Sequence, residues 1–426
     1  MIDSRSQFSA FAPDANAYTK SLVGSQSPVS LIDLPQVDSP PMKLLKSLVH
    51  YIYVYIESLI PHVRNLLTDI VSSRSNSIST QVSGVVLDFF CLPLMDVANE
   101  LGLPSYMFWT TNLGFLGLML YLPTRHEQIS TEFKDSHPDM MLPGFLNPVP
   151  VSVLPSSMFN KDGGYNTCVK LAQRFRETKG IIVNALAELE SHVVNSFADG
   201  QTLPIYMVGP VLDPSLDQVQ RDRIMKWLDE QPPSSVVFLC FGSMGHFGVS
   251  QLREIAAGLE CSGHRFLWSI RVPQPESLKA ILPQGFLERI GGKGMLCDGW
   301  VPQVEILAHS TMGGFVSHSG WNSILESLWY GVPIATWPIY AEQQMNVFLM
   351  LREYGLAVEL RLDYRNDGDL VMADKIKTAV RRLMENESDL RKKVQEMSDR
   401  ARKAVSEGGS SFTAVGKFVN DILGCN

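Results

Sequence analysis

One stretch of the chain places a glycine and several polar side chains directly after an apolar strand, where a helix is predicted to begin. In GGFVSHSGWNS the strand ends near His318, Gly320 follows, and residues 321–330 have the pattern of a helix. The N–H groups at a helix start lack partners within the helix, and the helix dipole adds positive potential there. Asn322 and Ser323 add side-chain donors at the same place. The pattern predicts a site that binds a diphosphate and stabilises its negative charge as it leaves.

Residues on either side of this stretch complete a candidate binding site. Trp300 offers a flat apolar face to a base, and Gln303 lies close enough in sequence to contact the edge of that base. Glu326 lies one turn into the predicted helix and projects on the same face as its polar start. Glu342 and Gln343 follow the next strand, PIATWP, and their polar side chains are suited to hydrogen-bond hydroxyls of a ligand.

Each of these side chains also has a purely structural explanation. Trp300 could be a core aromatic residue, His318 a strand-end histidine with satisfied hydrogen bonds, and Glu342 a surface charge. Taken singly, the structural explanation is at least as good for each residue. Taken together at one spacing, the residues favour a binding site, because agreement among several features is itself evidence.

The elements that would position these residues alternate between strands and helices. The first half has strand-like runs at VSLIDLP, SGVVLDFF, PSYMFWTT and GIIVNAL, and we expect SGVVLDFF to be a buried parallel strand. A helix is predicted from about Met42 to Leu67, with a possible break at Pro61. The second half continues with SSVVFLCFGS, RFLWSIR, GMLCDGW, GGFVSHS, PIATWP and LAVEL. This alternation predicts parallel sheets covered by helices, with ligands bound beyond the carboxyl ends of the strands.

The organisation predicted from this pattern is α/β, with two Rossmann-like domains that face each other across a cleft. Residues 1–208 would form the first domain and residues 223–409 the second. Residues 209–222 are the candidate linker, because YMVGPVLDPSLDQ carries a glycine and two prolines. Residues 410–426 are predicted to form a helix that packs back on the first domain.

The stretch from Trp300 to Gln344, WVPQVEILAHSTMGGFVSHSGWNSILESLWYGVPIATWPIYAEQQ, resembles the signature box of plant family-1 UDP-glycosyltransferases. The likeness covers the rest of the chain, including FLCFGSM and the strand that ends at Asp88. It is greatest to enzymes that glucosylate flavonoids, triterpenes and other lipophilic hydroxyl compounds. The resemblance implies a GT-B-like fold and inverting transfer of glucose from UDP-glucose to a hydroxyl of a small lipophilic plant metabolite.

The resemblance also implies which residues bind the donor. Trp321 and Gln343 indicate that the sugar of the donor is glucose. Glu326 is expected to accept hydrogen bonds from the ribose hydroxyls of the donor. The box departs from the usual pattern at Ser319 and Glu342, and neither departure changes its charge. The predicted donor-binding residues are Thr110, Ser243, Trp300, Val301, Gln303, His318, Trp321, Asn322, Ser323, Glu326, Glu342 and Gln343.

The catalytic base is missing from the pattern. In the family a histidine takes the proton of the acceptor hydroxyl and an aspartate orients that histidine. Asp88 matches the aspartate, with a helix N-cap as its structural alternative. None of the nine histidines matches the base, and against the family pattern the chain begins after the first strand, the loop with the base and the first helix. We therefore expect a first domain without that strand and helix, and a chain that folds poorly or lacks turnover. The alternative is a non-catalytic protein that binds UDP-sugar.

Composition excludes several other classes of protein. Hydrophobic content of 45%, charged content of 19% and a net charge of -8 indicate a globular protein that does not bind nucleic acid. No apolar run is long enough to span a membrane. The six cysteines lack CxxC spacing, which indicates reduced thiols in a cytoplasmic protein without a zinc site. Asp367-Gly368-Asp369 lies in a polar loop and is interpreted as an exposed turn, so we expect no metal ion. We also expect a monomer.

The acceptor is not predictable from the sequence beyond its general chemistry. A nucleotide-sugar epimerase is disfavoured, because the chain has neither a second nucleotide's glycine motif nor a Tyr-x-x-x-Lys motif. Variable segments at Phe108–Leu122 and Leu142–Tyr165 are the candidate acceptor region. Their apolar residues suit a flat or polycyclic acceptor and equally suit a core; these are Met141, Phe145, Leu154, Met158 and Phe159.

Overall fold

The structure is a computed structural model that describes residues 2–3, 30–74, 81–196, 203–212, 220–271, 277–365 and 370–424. These residues contain twelve short strands and fifteen α-helices. The strands are β1 Ile2–Asp3, β2 Ile32–Asp33, β3 Val85–Asp88, β4 Ser105–Trp109, β5 Ile181–Val183, β6 Ile205–Met207, β7 Val236–Cys240, β8 Arg265–Ile270, β9 Gly294–Asp298, β10 Met312–Ser317, β11 Ile334–Thr336 and β12 Ala357–Glu359. The α-helices are α1 Leu48–Arg74, α2 Met95–Glu100, α3 Leu113–Gln128, α4 Gly164–Arg174, α5 Ser191–Ser196, α6 Arg221–Asp229, α7 Val249–Ser262, α8 Leu278–Ile281, α9 Phe286–Arg289, α10 Gln303–Ala308, α11 Trp321–Trp329, α12 Gln343–Phe348, α13 Ala373–Leu383, α14 Asp389–Val405 and α15 Ser410–Leu423.

The chain divides into two compact units. The first contains Met1–Val151, Pro155–Val211 and Lys403–Asn426, and the second contains Ser152–Leu154 and Leu212–Arg402. Both units have a parallel β-sheet with helices between successive strands, as the alternation of apolar runs predicts. The DxD motif at 367–369 and most of the predicted linker lie outside the described residues.

The first unit has a four-stranded parallel sheet in the order β3-β4-β5-β6. The central strands are apolar and buried on both faces, with Met107 and Ile181 fully buried and paired in register. Strands β1 and β2 pair in a separate two-stranded parallel sheet. The predicted strand at VSLIDLP is therefore present, but only Ile32 and Asp33 are in strand conformation.

The prediction that SGVVLDFF is a buried strand is wrong for β3. Within the described part of the chain, β3 lies at the edge of its sheet with β4 as its neighbour. The side chain of Val86 is 47% exposed, whereas Leu87, which points to the opposite face, is buried. An apolar run alone does not distinguish a central strand from an edge strand.

The predicted break at Pro61 is also wrong. Helix α1 continues through Pro61, and a 3-10 helix over Met42–Lys46 precedes it. Four buried side chains spaced four residues apart lie along one face of α1, namely Tyr51, Tyr55, Leu59 and Val63. Packing along this face holds the helix together although proline removes one backbone hydrogen bond.

Helix α15 packs on the sheet of the first unit. The ring of Phe418 contacts the rings of Tyr106 on β4 and Tyr206 on β6, with centroid distances of 5.2 and 5.5 Å. The Tyr206 hydroxyl donates a 2.5 Å hydrogen bond to Asp421. The Ser410 hydroxyl donates to Glu188 at 2.7 Å. Aromatic packing and these polar contacts together fix the position of the C-terminal helix on this unit.

The second unit has a six-stranded parallel sheet in the order β12-β11-β10-β7-β8-β9. Helices α7 and α13 pack closely together over one face, because Gly258 brings α7 near Ile376 of α13. A Cβ atom at Gly258 would lie 2.7 Å from the Cβ of Ile376. The strands β7 and β10 are buried throughout, so their carboxyl ends are held rigidly where the polar loops begin.

The apolar residues of the candidate acceptor region are mostly core residues. Phe145, Leu154 and Met158 are buried, which favours the core interpretation for these three. Phe145 packs directly against Gly114 at the start of α3. Met141 is exposed and stays a candidate acceptor contact.

Candidate functional site

The start of helix α11 is the centre of the candidate site. Strand β10 ends at Ser317, which is paired in register with Cys240 of β7 and Thr336 of β11. Gly320 is the N-cap of α11 and has no side chain to accept a hydrogen bond from the first turn. A helix start without a side-chain cap from its N-cap residue is the kind of place where backbone N–H groups and the helix dipole bind anions. The predicted strand–glycine–helix arrangement is confirmed, with the helix ending at Trp329.

His318 lies between two glycines beside this helix start. A Cβ atom at Gly320 would lie 2.6 Å from His318 Nε2, and one at Gly242 would lie 2.7 Å from the same atom. Both positions therefore need glycine for the close approach of the imidazole. Gly242 has a φ of +73° as well, which disfavours any other residue. The ring is buried, and this geometry places Nε2 against the two backbone turns that flank the start of α11.

Burial controls the protonation of His318. It lowers the pKa of the imidazole to about 4, and a hydrogen bond to the Cys240 carbonyl raises it by less than burial lowers it. The folded protein therefore holds His318 neutral at pH 7. A neutral ring has one N–H, so donation to a phosphate oxygen would replace its hydrogen bond to the Cys240 carbonyl, without a buried charge when the site is empty.

The free energy of unfolding should fall as the pH falls, because His318 is held neutral in the folded protein. The imidazole takes up a proton near pH 6.5 when unfolded and near pH 4 when folded. Between these values the unfolded state binds more protons, so stability is lost as the pH falls, by at most about 1.4 kcal/mol per pH unit. Urea unfolding of the protein and of His318→Asn at pH 7.5 and pH 5 measures this. The difference in unfolding free energy between the two proteins should be smaller at pH 5 than at pH 7.5. An unchanged difference would contradict the lowered pKa of His318.

A hydrogen-bonded cluster lies beside the same helix start. The Gln303 side-chain amide of α10 donates to Ser323 Oγ at 2.9 Å and to Glu326 Oε2 at 2.6 Å. Ser323 and Glu326 are both buried on α11. The cluster fixes the orientation of the Glu326 carboxylate, a group suited to accepting hydrogen bonds from hydroxyls.

Trp300 is accessible, whereas Trp321 is not. The Trp300 side chain is 43% exposed, so the core explanation for it does not hold. Its carbonyl oxygen accepts a 3.0 Å hydrogen bond from Gln220, which holds the loop before α10. Val301 and Trp321 are both buried. Asn322, in the first turn of α11, is exposed.

Gln343 and Glu342 lie at the start of α12, after β11. The Gln343 side chain is buried, and its oxygen accepts hydrogen bonds from the N–H groups of Ile339 and Tyr340 at 2.9 and 3.1 Å. The amide nitrogen of Gln343 is thereby oriented by its own loop. Glu342 is half-buried rather than a free surface charge.

Ser243 lies in the loop after β7, where its carbonyl oxygen accepts a hydrogen bond from the Arg271 guanidinium. Arg271 follows β8 and was missed by the sequence reasoning, although it occupies the same carboxyl edge of the sheet. Attention to every residue that follows a strand, including charged ones, would have found it.

Asp88 and Thr110 belong to the first unit. Asp88 is the N-cap of the 3-10 helix Phe89–Leu94, and its carboxylate accepts a 2.9 Å hydrogen bond from Phe90 N. Neighbouring chain desolvates the carboxylate and raises its pKa, although the residue keeps exposed surface. Thr110 is exposed directly after β4. The structural alternative for Asp88 is thus present, and its catalytic role stays a prediction.

The described residues contain neither a metal-binding cluster nor a membrane-spanning helix. No group of three or more His, Cys, Asp or Glu side chains among them could hold a metal ion. Cys91, Cys168, Cys240, Cys261 and Cys297 are free thiols. In the same part of the chain, no helix is long and apolar enough to cross a membrane.

Comparison with known proteins agrees with the geometry. The family model for UDP-glucuronosyl and UDP-glucosyl transferases matches residues 220–399. The chain is 52% identical to UDP-glycosyltransferase 71K1 of Malus domestica, an alignment that covers 98% of this chain and 91% of the relative. This chain belongs to the plant family-1 UDP-glycosyltransferases. It is also 48% identical to flavonol 3-O-glucosyltransferase UGT71C1 of Arabidopsis thaliana, over 97% of this chain and 88% of that protein.

Solved structures of family-1 UDP-glycosyltransferases share the fold. The Medicago truncatula enzyme UGT71G1 complexed with UDP-glucose has a TM-score of 0.87 and 53% identity, covering 96% of this chain and 88% of that one. A Siraitia grosvenorii transferase in complex with UDP has a TM-score of 0.85 and 42% identity, covering 95% and 90%. The two parallel-sheet units of this glycosyltransferase are therefore of the GT-B class.

Proposed function

We propose that the protein is a UDP-glucosyltransferase that transfers glucose, with inversion, from UDP-glucose to a hydroxyl of a small lipophilic plant metabolite. The observation that carries the proposal is the uncapped start of α11 beside the buried His318, next to the Gln303–Ser323–Glu326 cluster. A relative of 53% identity was solved with UDP-glucose, which supports the choice of donor. Relatives named as flavonol 3-O-glucosyltransferases support the acceptor class.

The donor is proposed to bind through the second unit. The uracil would lie on the exposed face of Trp300, with its edge near Gln303, and the ribose hydroxyls would donate to Glu326. The diphosphate would accept hydrogen bonds from the first turn of α11 and from His318. Further hydrogen bonds to UDP-glucose would come from Ser243, Asn322 and Ser323, and the sugar hydroxyls would meet Glu342 and Gln343. Trp321 and Val301 would support this surface from below.

In the reaction, the acceptor oxygen forms a bond to the anomeric carbon while the bond from that carbon to the diphosphate oxygen breaks. The hydroxyl proton goes to a base, and the electron pair of the broken bond stays on UDP. The α11 dipole and His318 stabilise the charge that grows on the diphosphate, so we propose that no metal ion takes part. Asp88 is proposed to orient the base. We further propose that the protein acts as a cytoplasmic monomer.

The second candidate is a UDP-sugar-binding protein without transferase activity. One observation favours it: Asp88 caps a 3-10 helix, which is the structural alternative to a catalytic role. Both candidates predict donor binding through the second unit, and they differ in turnover alone.

Binding and turnover measured on the same preparation separate the candidates. We expect saturable binding of UDP by calorimetry, and glucoside formation from UDP-glucose with a panel of flavonols and triterpenoid alcohols by mass spectrometry. UDP-galactose serves as the matched donor control and should be used less well. Binding without glucoside would favour the second candidate, and absence of UDP binding would overturn both.

A further inference from the structure

Two residues of the candidate donor site hold a backbone conformation that is unfavourable for a side chain. Ser319, between His318 and Gly320, has a φ of +61°, and Ala341, directly before Glu342, has a φ of +53°. Left-handed conformations of this kind strain any residue that has a Cβ atom. Such residues persist only when their surroundings hold them in place, and they concentrate at functional sites.

The strained turn at Ser319 is held by a side chain from another helix. The Asn346 side-chain nitrogen, on α12, donates a 2.9 Å hydrogen bond to the Ser319 carbonyl oxygen. The Ser319 N–H donates to Ser317 Oγ at 3.1 Å. Ser319 and Asn346 are both fully buried, so water does not replace this hydrogen bond easily. The turn directs His318 and the start of α11, the two groups proposed to bind the diphosphate.

The strained turn at Ala341 is held in the same manner. The Tyr364 hydroxyl donates a 2.6 Å hydrogen bond to the Ala341 carbonyl oxygen. Tyr364 is itself fixed, because its N–H donates to the side-chain oxygen of Gln344 at 3.1 Å. The buried Gln344 side chain also donates to the carbonyl oxygens of Ser152 and Leu154. This turn directs Glu342 and Gln343, the residues proposed to meet the sugar.

We propose that Asn346 and Tyr364 are positioning residues for the donor, each holding one strained turn of the site. Asn346 positions the groups that meet the diphosphate, and Tyr364 positions those that meet the sugar. This assignment rests on the proposed function, because it takes UDP-glucose as the ligand. Both residues lie beyond Gln343, where the signature box ends, and neither is proposed to touch the donor.

The division of roles gives the two residues different effects on two ligands. Asn346→Ala should weaken binding of both UDP and UDP-glucose by about 5- to 30-fold, the factor to which about one to two kcal/mol corresponds. Tyr364→Phe should weaken UDP-glucose binding by a similar factor and leave UDP binding within about twofold of wild type, because UDP lacks the glucose that Glu342 and Gln343 are proposed to meet. A merely structural role of Tyr364 would lower the melting temperature without separating the two ligands, and the role of Asn346 is tested by the glycine replacements below.

Glycine at the strained positions provides a second test. Glycine adopts a positive φ without a steric cost, so Ser319→Gly should restore much of the UDP affinity lost in Asn346→Ala. Ala341→Gly should likewise restore UDP-glucose affinity in Tyr364→Phe. The crossed pairs, Asn346→Ala with Ala341→Gly and Tyr364→Phe with Ser319→Gly, are the matched controls and should show additive effects.

These roles are tested by calorimetric titration of each variant with UDP and with UDP-glucose, alongside thermal melting. Failure of the wild-type protein to bind UDP would refute the proposed function itself. If the wild-type protein binds normally, an equal loss of affinity for both ligands in Tyr364→Phe would overturn the role of Tyr364. Absence of rescue by the paired glycine would overturn the positioning role of the residue concerned. If Asn346→Ala does not fold, the Tyr364→Phe series decides alone, because that change removes only a hydroxyl.

Discussion

Gly320→Ala is expected to weaken UDP binding by about 100-fold, the scale on which loss of a preorganised anion contact acts. The new Cβ atom would lie 2.6 Å from His318 Nε2, which is closer than Cβ contacts occur. The ring cannot move aside easily, because Gly242 leaves no room on its other side, where a Cβ atom would lie 2.7 Å from the same nitrogen. Either His318 or the first turn of α11 must therefore leave the position proposed to meet the diphosphate.

The matched control for Gly320→Ala is Gly416→Ala. Gly416 lies within α15, and a Cβ atom there meets nothing within 4 Å. That change should leave UDP affinity unaltered and stabilise the protein by up to about 1 kcal/mol, because alanine favours a helix over glycine. Calorimetry with UDP and thermal melting measure both effects. Wild-type affinity in a folded Gly320→Ala protein would contradict the diphosphate assignment.

Glu326→Gln should abolish discrimination between UDP and 2′-deoxy-UDP. The Glu326 carboxylate is buried and oriented by Gln303 at 2.6 Å, so it is expected to accept from ribose hydroxyls in a site that excludes water. Hydrogen bonds to a charged group are worth about 1.5–3 kcal/mol, which corresponds to a preference of about 10- to 100-fold for UDP in the wild-type protein. Glutamine has similar volume, so the change tests charge and hydrogen bonding rather than packing.

Glu359→Gln is the control for this second prediction. Glu359 lies on β12 and pairs with Arg352 at 2.8 Å, with both side chains largely exposed. Exposed ion pairs contribute little, so the ratio of UDP to 2′-deoxy-UDP affinity should stay that of the wild type. Competition binding with the two nucleotides measures the ratio. An unchanged ratio in Glu326→Gln would show that the ribose is held elsewhere.

The local parts of the site were predictable from sequence. An apolar strand, a glycine and a helix follow one another around His318–Trp321. Because they are consecutive in the chain, they are also adjacent in the structure. The carboxyl ends of parallel strands meet at one edge, so the loops after β7, β10 and β11 were expected to share a site. The exposure of Trp300 was not decided by sequence, since an aromatic residue fits a core and a binding surface equally well.

The contacts that hold the site depend on tertiary structure and were not predictable. Gln303 was expected to contact a base edge, yet its amide donates hydrogen bonds to Ser323 and Glu326, which lie 20 and 23 positions further along the chain. Asn346 and Tyr364 give no sequence signal, because the strained backbone that they hold is visible only as a φ angle. Val86 shows the same limit for the fold, since whether an apolar strand lies at the centre or the edge of a sheet depends on its neighbours.

A crystal structure of the protein with UDP-glucose tests the central claim most directly. We expect the uracil on the face of Trp300 and the ribose hydroxyls on Glu326. We expect the diphosphate within hydrogen-bond distance of His318 and of the first N–H groups of α11. Nucleotide bound away from Trp300 and the start of α11, or held there with its ribose turned away from Glu326, would contradict it.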